Sequence, residues 1–125
     1  MQTNTTVVLN IANLPPNTTS DLYGPVNLGN SIKCAITGQA FFNQSAVDNV
    51  RTMILSSWDD SSYDTEPYAQ FDIPCNPNQT VRTTYAVLPD PKYIKAQVVN
   101  LDSNYTAESV RVIVTYTEPW SDSLD

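Results

Sequence analysis

The densest set of groups that could do chemistry is one acidic loop, DDSSYDTEP, with Asp59, Asp60, Asp64 and Glu66. Clustered carboxylates are hard oxygen ligands and invite a calcium reading. The loop lacks the glycine that makes the sharp turn of an EF-hand, and its spacing does not match that pattern. The plainer reading is a solvated hairpin loop. Histidine-assisted nucleophilic catalysis is excluded outright. The chain has no histidine, so no Ser-His or Cys-His pair exists to activate a hydroxyl or a thiol. A histidine zinc site falls on the same ground, and Cys34 and Cys75 are too far apart in sequence for a zinc pattern. A glycosidase needs two facing carboxylates in a cleft, and nothing in the pattern places them. The expectation is a protein that is not an enzyme and uses no cofactor or metal.

The remaining candidates are side chains for contact. Trp58 and the acidic loop could form a sugar-stacking platform. Most of the seven tyrosines fall inside strand patterns, where packing explains them. Trp120 does not: it lies beyond the last strand, between Pro119 and Ser121, where one chain offers it little core. It is a candidate contact with a neighbouring chain, as are Val7 and Leu9 of the first strand. Asn-x-Ser/Thr triplets begin at Asn4, Asn17, Asn43, Asn78 and Asn104. They would read as glycan sites in a secreted chain, but MQTNTTVVLN has neither the basic start nor the apolar run of a signal peptide. The opening methionine suggests cytosolic synthesis. Cys34 and Cys75 would close a loop of about 40 residues if paired, worth about 4 kcal/mol. Without a secretory signal they are expected as free thiols, Cys34 as a small buried hydrophobe between Ile32 and Ile36.

The net charge of −7 argues against nucleic acid, which needs clustered Lys and Arg, and against an anionic membrane surface. No segment approaches the ~20 apolar residues of a membrane helix. At 125 residues the chain is one domain, with residues 1–118 forming it and residues 119–125 a tail.

The elements that must position these groups are strands. Residues 80–118 carry three in a row, TVRTTYAVL, YIKAQVVNL and SVRVIVTYTE. Val81, Thr83, Tyr85 and Val87 share one face, Ile94, Ala96 and Val98 another, and Val110, Val112, Val114 and Tyr116 a third. A period of two is what a half-buried strand requires. Upstream, residues 5–14 place Val7, Leu9 and Ile11 on one face, and Pro15-Pro16 ends the run. Residues 22–28 make a weak strand broken by Gly24 and Pro25, suited to a sheet edge. Residues 31–42 alternate Ile32, Cys34 and Ile36, and Gly38 suggests a bulge or bend. Residues 49–58 fit either a strand or a short helix, and the neighbouring strands favour the strand. Residues 68–74 alternate Ala69, Phe71 and Ile73. The sum is all-β: a single antiparallel β-sandwich of about eight strands, immunoglobulin-like or jelly-roll.

The run from residue 31 to 118 resembles small β-sandwich structural proteins of tailed bacteriophage particles. The likeness rests on IKCAITGQAFF, on SSWDDSSYDTEPYAQFDI, and above all on PKYIKAQVVNLDSNYTAESVRVIVTYTE, with its Pro-x-Tyr-Ile-Lys strand, Asn-Leu-Asp turn and Val-rich last strand. The resemblance implies a virion location and a role such as a capsid decoration (cement) protein or a fibre base. It implies partners among virion proteins, the major capsid protein first, and a homo-oligomer, a trimer being one form. It brings no catalytic residues. Contact would run through β surface and terminal arms, residues 3–14 and the tail around Trp120. The rival expectation is a carbohydrate-binding or adhesion module that uses Trp58 and the loop 59–67.

Overall fold

The computed structural model describes residues 1–119. Its strands are β1 (Gln2–Leu14), β2 (Tyr23–Asn27), β3 (Lys33–Phe42), β4 (Val50–Ser57), β5 (Ala69–Ile73), β6 (Thr80–Val87), β7 (Tyr93–Asn100) and β8 (Ala107–Glu118). The helical alternative for residues 49–58 is not realised: β4 is a strand with Val50, Thr52, Ile54 and Ser56 buried in alternation. Proline and turn chemistry set the ends. Pro15 and Pro16 follow β1, Pro74 follows β5, and Leu88-Pro89 follows β6.

Two antiparallel sheets form, ordered β1-β8-β3-β6 and β2-β7-β4-β5. The pairings β1–β8, β2–β7, β3–β6 and β4–β5 are nested. The chain is one long hairpin rolled up so that successive pairs fall alternately in the two sheets. That is the jelly-roll topology, which decides between the two sandwiches the strand pattern allowed.

The core lies between the sheets. Val110, Val112 and Val114 of β8 meet Ile36 and Ala40 of β3 in one wall, and Val50, Ile54, Ile94, Ala96 and Val98 build the other, all buried. Each large apolar side chain so placed contributes about 1.5–3 kcal/mol relative to exposure. Tyr85 is less buried than its alternation suggests, at 43 % exposed. It sits on the edge strand β6, with its ring 4.7 Å from Phe71 in an edge-on arrangement. Cys34 and Cys75 are free thiols. Burial pushes the Cys34 thiol up to about 11, so it packs as a small hydrophobe.

Three expectations are corrected by pairing. Val7 and Leu9 do not share a face. The β1–β8 register shifts between them, leaving Val8 as an extra residue, so Val7 is 54 % exposed and Leu9 only 1 %. Leu9 is therefore a core residue and no partner contact. Residues 3–14 are no free arm either, because β1 pairs with β8 along its whole length. Gly38 marks no bulge: the β3 irregularity falls between Gln39 and Phe41. A Cβ at Gly38 would lie 2.9 Å from Thr52 Oγ1 and from Ile73 across the sandwich, so the glycine gives clearance between the sheets.

Candidate functional site

Two surfaces hold the chemistry that the fold leaves exposed. The first lies at the end of β4, where Trp58 stands 81 % exposed. The loop beyond it is tied to itself. Ser57 Oγ accepts from the Asp60 N–H at 3.0 Å and donates to the Ser62 carbonyl at 2.6 Å. Asp59 Oδ1 accepts from the N–H groups of Ser61 and Ser62, which hold its carboxyl below the usual range. Tyr63 donates its hydroxyl to Asp60 at 2.6 Å, and Lys95 stacks over the Tyr63 ring at 4.7 Å. Ser56 Oγ donates to Asp64 Oδ2 at 3.0 Å. The carboxylates of Asp59, Asp60 and Asp64 thus serve donors of the loop and of the end of β4. Among the described residues no group of three or more His, Cys, Asp or Glu is placed to hold a metal ion. Beside this loop an open cleft of about 420 Å³ runs between Trp58, Tyr68, Asp64, Asp90 and Lys92.

The second surface is the outer face of the β1-β8-β3-β6 sheet. Register sets it in rows. One row is Thr5, Thr115, Ala35 and Ala86, and the next is Val7, Ile113, Thr37 and Thr84. The Thr37 and Thr84 hydroxyls bond at 2.7 Å. The third row is Asn10, Arg111, Gln39 and Arg82, with Gln39 Oε1 accepting from Arg82 Nη2 at 2.7 Å and Nε at 3.1 Å. The small side chains Ala35 and Ala86 leave a shallow hollow of about 410 Å³, rimmed by Ile32, Leu88 and Lys33. Ile32 is 45 % and Leu88 67 % exposed.

Charge separates this face from the rest of the chain. Its rows and rim carry Lys33, Arg82 and Arg111, half of the six basic residues, while the carboxylate of Glu108 lies just beyond the third row, on the residue paired with Phe41 and Asn13. On a chain of net charge −7 that is a patch of the opposite sign. A flat, pre-formed, partly apolar face with guanidinium groups is suited to another protein's surface rather than to a small substrate.

Of the residues expected from sequence, only Val7 reaches this face. Leu9 is in the core, and Trp120 lies outside the described residues. Sequence reasoning missed Ile32, Ala35, Ala86 and Leu88. Alternation could have found Ala35 and Ala86, since they are the small outward members of β3 and β6.

No family model and no curated protein matches the chain in sequence. Solved structures share its fold. One is the crystal structure of PBSX exported protein XepA, at 14 % identity and a TM-score of 0.60 over 95 % of this chain and 38 % of that one. Another is a structure of infectious bursal disease virus, Gx strain, at 8 % identity and a TM-score of 0.51 over 94 % of this chain and 33 % of that one. The chain thus spans well under half of the length of each. At such identities the likeness shows the β-sandwich and nothing finer.

Proposed function

We propose that the chain is a non-enzymatic structural component of a phage or virus particle, and specifically a capsid decoration protein that docks on other virion proteins. The observation that carries this reading is the outer face of the β1-β8-β3-β6 sheet: pre-formed, small-residue and basic on an acidic chain. The jelly-roll topology supports it, because that architecture is a frequent shell-building unit, as does the fold shared with a virus structure. The docking partner would present an acidic, flat surface to Lys33, Arg82 and Arg111, with an apolar side chain seated in the hollow between Ile32 and Leu88.

The test is association with particles. Particles purified from the source should contain the chain at hundreds of copies by quantitative mass spectrometry. A dozen copies would move it to the neck, tail or fibres, and absence would overturn the reading. Ala86→Glu places a carboxylate on the exposed hollow. It should reduce binding of the added protein to particles at least tenfold and leave the melting temperature unchanged.

A second reading has one observation in its favour, the exposed indole of Trp58 above a cleft with Asp64 and Asp90. Aromatic faces with nearby carboxylates bind sugars on many β-sandwiches, which makes a carbohydrate-binding module the rival. Isothermal titration against a glycan panel separates the two. On the structural-component reading no sugar gives heat, and Trp58→Ala leaves particle binding intact. Saturable heat that Trp58→Ala abolishes would establish the rival instead.

A further inference from the structure

The four edge strands of the sandwich are not treated alike. β2 is five residues long and contains Pro25. β5 is five residues long, carries Asp72 and runs into Pro74. β6 carries Arg82 in its middle. Short length, proline and charge are the devices that keep an edge from recruiting another strand. β1 has none of them. It is 13 residues long, and no charged side chain or proline lies within it. The first charged residue of the chain is Asp21. Among the described residues β1 pairs only with β8, so its other side presents unpaired N–H and C=O groups. The one irregularity, at Val8, leaves residues 2–7 as a regular, uncharged, threonine-rich edge.

We infer that this edge is a site for β-strand pairing and that its occupant is β1 of a second copy of the chain, aligned antiparallel about a two-fold axis. The inference rests on the structural-component reading, in which many copies meet at high local concentration. Charge restricts where two copies can meet. Two molecules of net charge −7 repel over most of their surfaces, and β1 is the longest edge strand and carries no charged side chain. Side chains fix the register. Opposed residues of an antiparallel pair point to the same face, and Thr3, Thr5 and Val7 form the exposed row. Centring the axis on Thr5 sets Thr5 against the partner copy's Thr5 and each Thr3 against the other copy's Val7. Threonine and β-branched cross-strand pairs suit that seam, and the exposed flank of Val7 gains cover. The product is one continuous eight-stranded sheet with the basic outer faces side by side.

The seam is short, so association should be weak and visible only well above micromolar concentration. Sedimentation equilibrium of the full chain up to about 1 mM tests it. The expected result is a reversible dimer whose dissociation constant falls as added salt screens the repulsion between the two acidic chains. Thr5→Lys, at an exposed position, should weaken it at least tenfold without changing the melting temperature. Thr5→Cys should form an interchain disulfide under mild oxidation, and Asn10→Cys, beyond the bulge, should not. A monomer throughout, a dimer indifferent to Thr5→Lys, or equal cross-linking at both positions would overturn the inference. A monomeric chain still found in particles at high copy number overturns strand pairing alone. A strand-paired dimer absent from particles overturns the particle reading alone.

Discussion

Asp102→Ala should lower stability by about 3–4 kcal/mol and the melting temperature by more than about 10 °C. Asp102 is 1 % exposed and joins three parts of the fold. Its Oδ2 accepts from the N–H groups of Val47 and Asp48, in the β3–β4 connection, at 2.8 and 3.2 Å. Its Oδ1 accepts from Asn104 and Tyr105, ahead of β8, at 2.9 and 3.0 Å. Its own N–H donates to Asn100 Oδ1, and Asn100 Nδ2 reaches the Leu14 carbonyl at the end of β1 and that of Tyr105. Removing the carboxylate orphans four backbone donors at once, and a domain of this size has only about 5–15 kcal/mol in total. Burial by itself would raise the Asp102 pKa, but the four N–H groups outweigh it and hold the carboxyl below its ordinary value. The sign follows. A depressed folded pKa gives stability that is complete above the unfolded value of about 3.9 and is lost as pH falls through the lower folded value. Urea denaturation from pH 7 to pH 2.5 should therefore show an acid loss in the native chain that is smaller in Asp102→Asn. That variant keeps the size and loses the charge, and equal acid slopes in the two proteins would refute the assignment.

That hub was legible only in part. The Asn-Leu-Asp turn stands out in the sequence, yet nothing local says that its two polar side chains turn inward to satisfy three separate connections. The strands were far more legible, since β7 buries every second residue throughout, β3 does so from Cys34 to Gly38 and β8 from Val110 to Val114, and the period is written mostly in Val, Ile and Ala. What escaped is what depends on a partner strand distant in sequence. The extra residue at Val8 exists only relative to β8, and it sends Val7 to solvent and Leu9 to the core, splitting a pair that simple alternation joins. The choice of jelly roll over immunoglobulin-like sandwich has the same origin. It is made by β1 pairing with β8, the first strand with the last, and strand patterns do not encode which strands meet. The outer face of the β1-β8-β3-β6 sheet escaped because it is defined by rows across four strands, with Ala35 beside Ala86 and Thr115, while the sequence shows each alanine only as a weak member of its own strand.

Gly38→Val should be the second severe change, at about 3 kcal/mol. Gly38 lies on β3 opposite Thr52 of β4 and Ile73 of β5, in the other sheet, and it pairs laterally with Thr83 and Val112. Its backbone is ordinary extended strand, so the cost is one of space. The first carbon of any side chain would stand 2.9 Å from Thr52 Oγ1 and from Cγ1 and Cδ1 of Ile73. The end of Ile73 can swing aside, but the hydroxyl of Thr52 sits on a branched carbon with little freedom. That hydroxyl is itself fully buried and has no hydrogen-bond partner among the described residues, a state that costs about 1–3 kcal/mol. The two residues therefore form one coupled site, and a double-mutant cycle exposes it. Gly38→Ala alone should cost about 1–2 kcal/mol. Combined with Thr52→Ala, it should cost less than the sum of the two single changes by about 1 kcal/mol, because the new methyl fills the space that the hydroxyl leaves. Thr52→Val alone should stabilise the chain, since it keeps the shape and removes the unpaired oxygen. Urea midpoints of the native chain, the two alanine variants, their combination and Thr52→Val decide the matter. Strict additivity, or a destabilised Thr52→Val, would mean that the sheets relax apart at Gly38 and that sheet-to-sheet clearance is not what the glycine supplies.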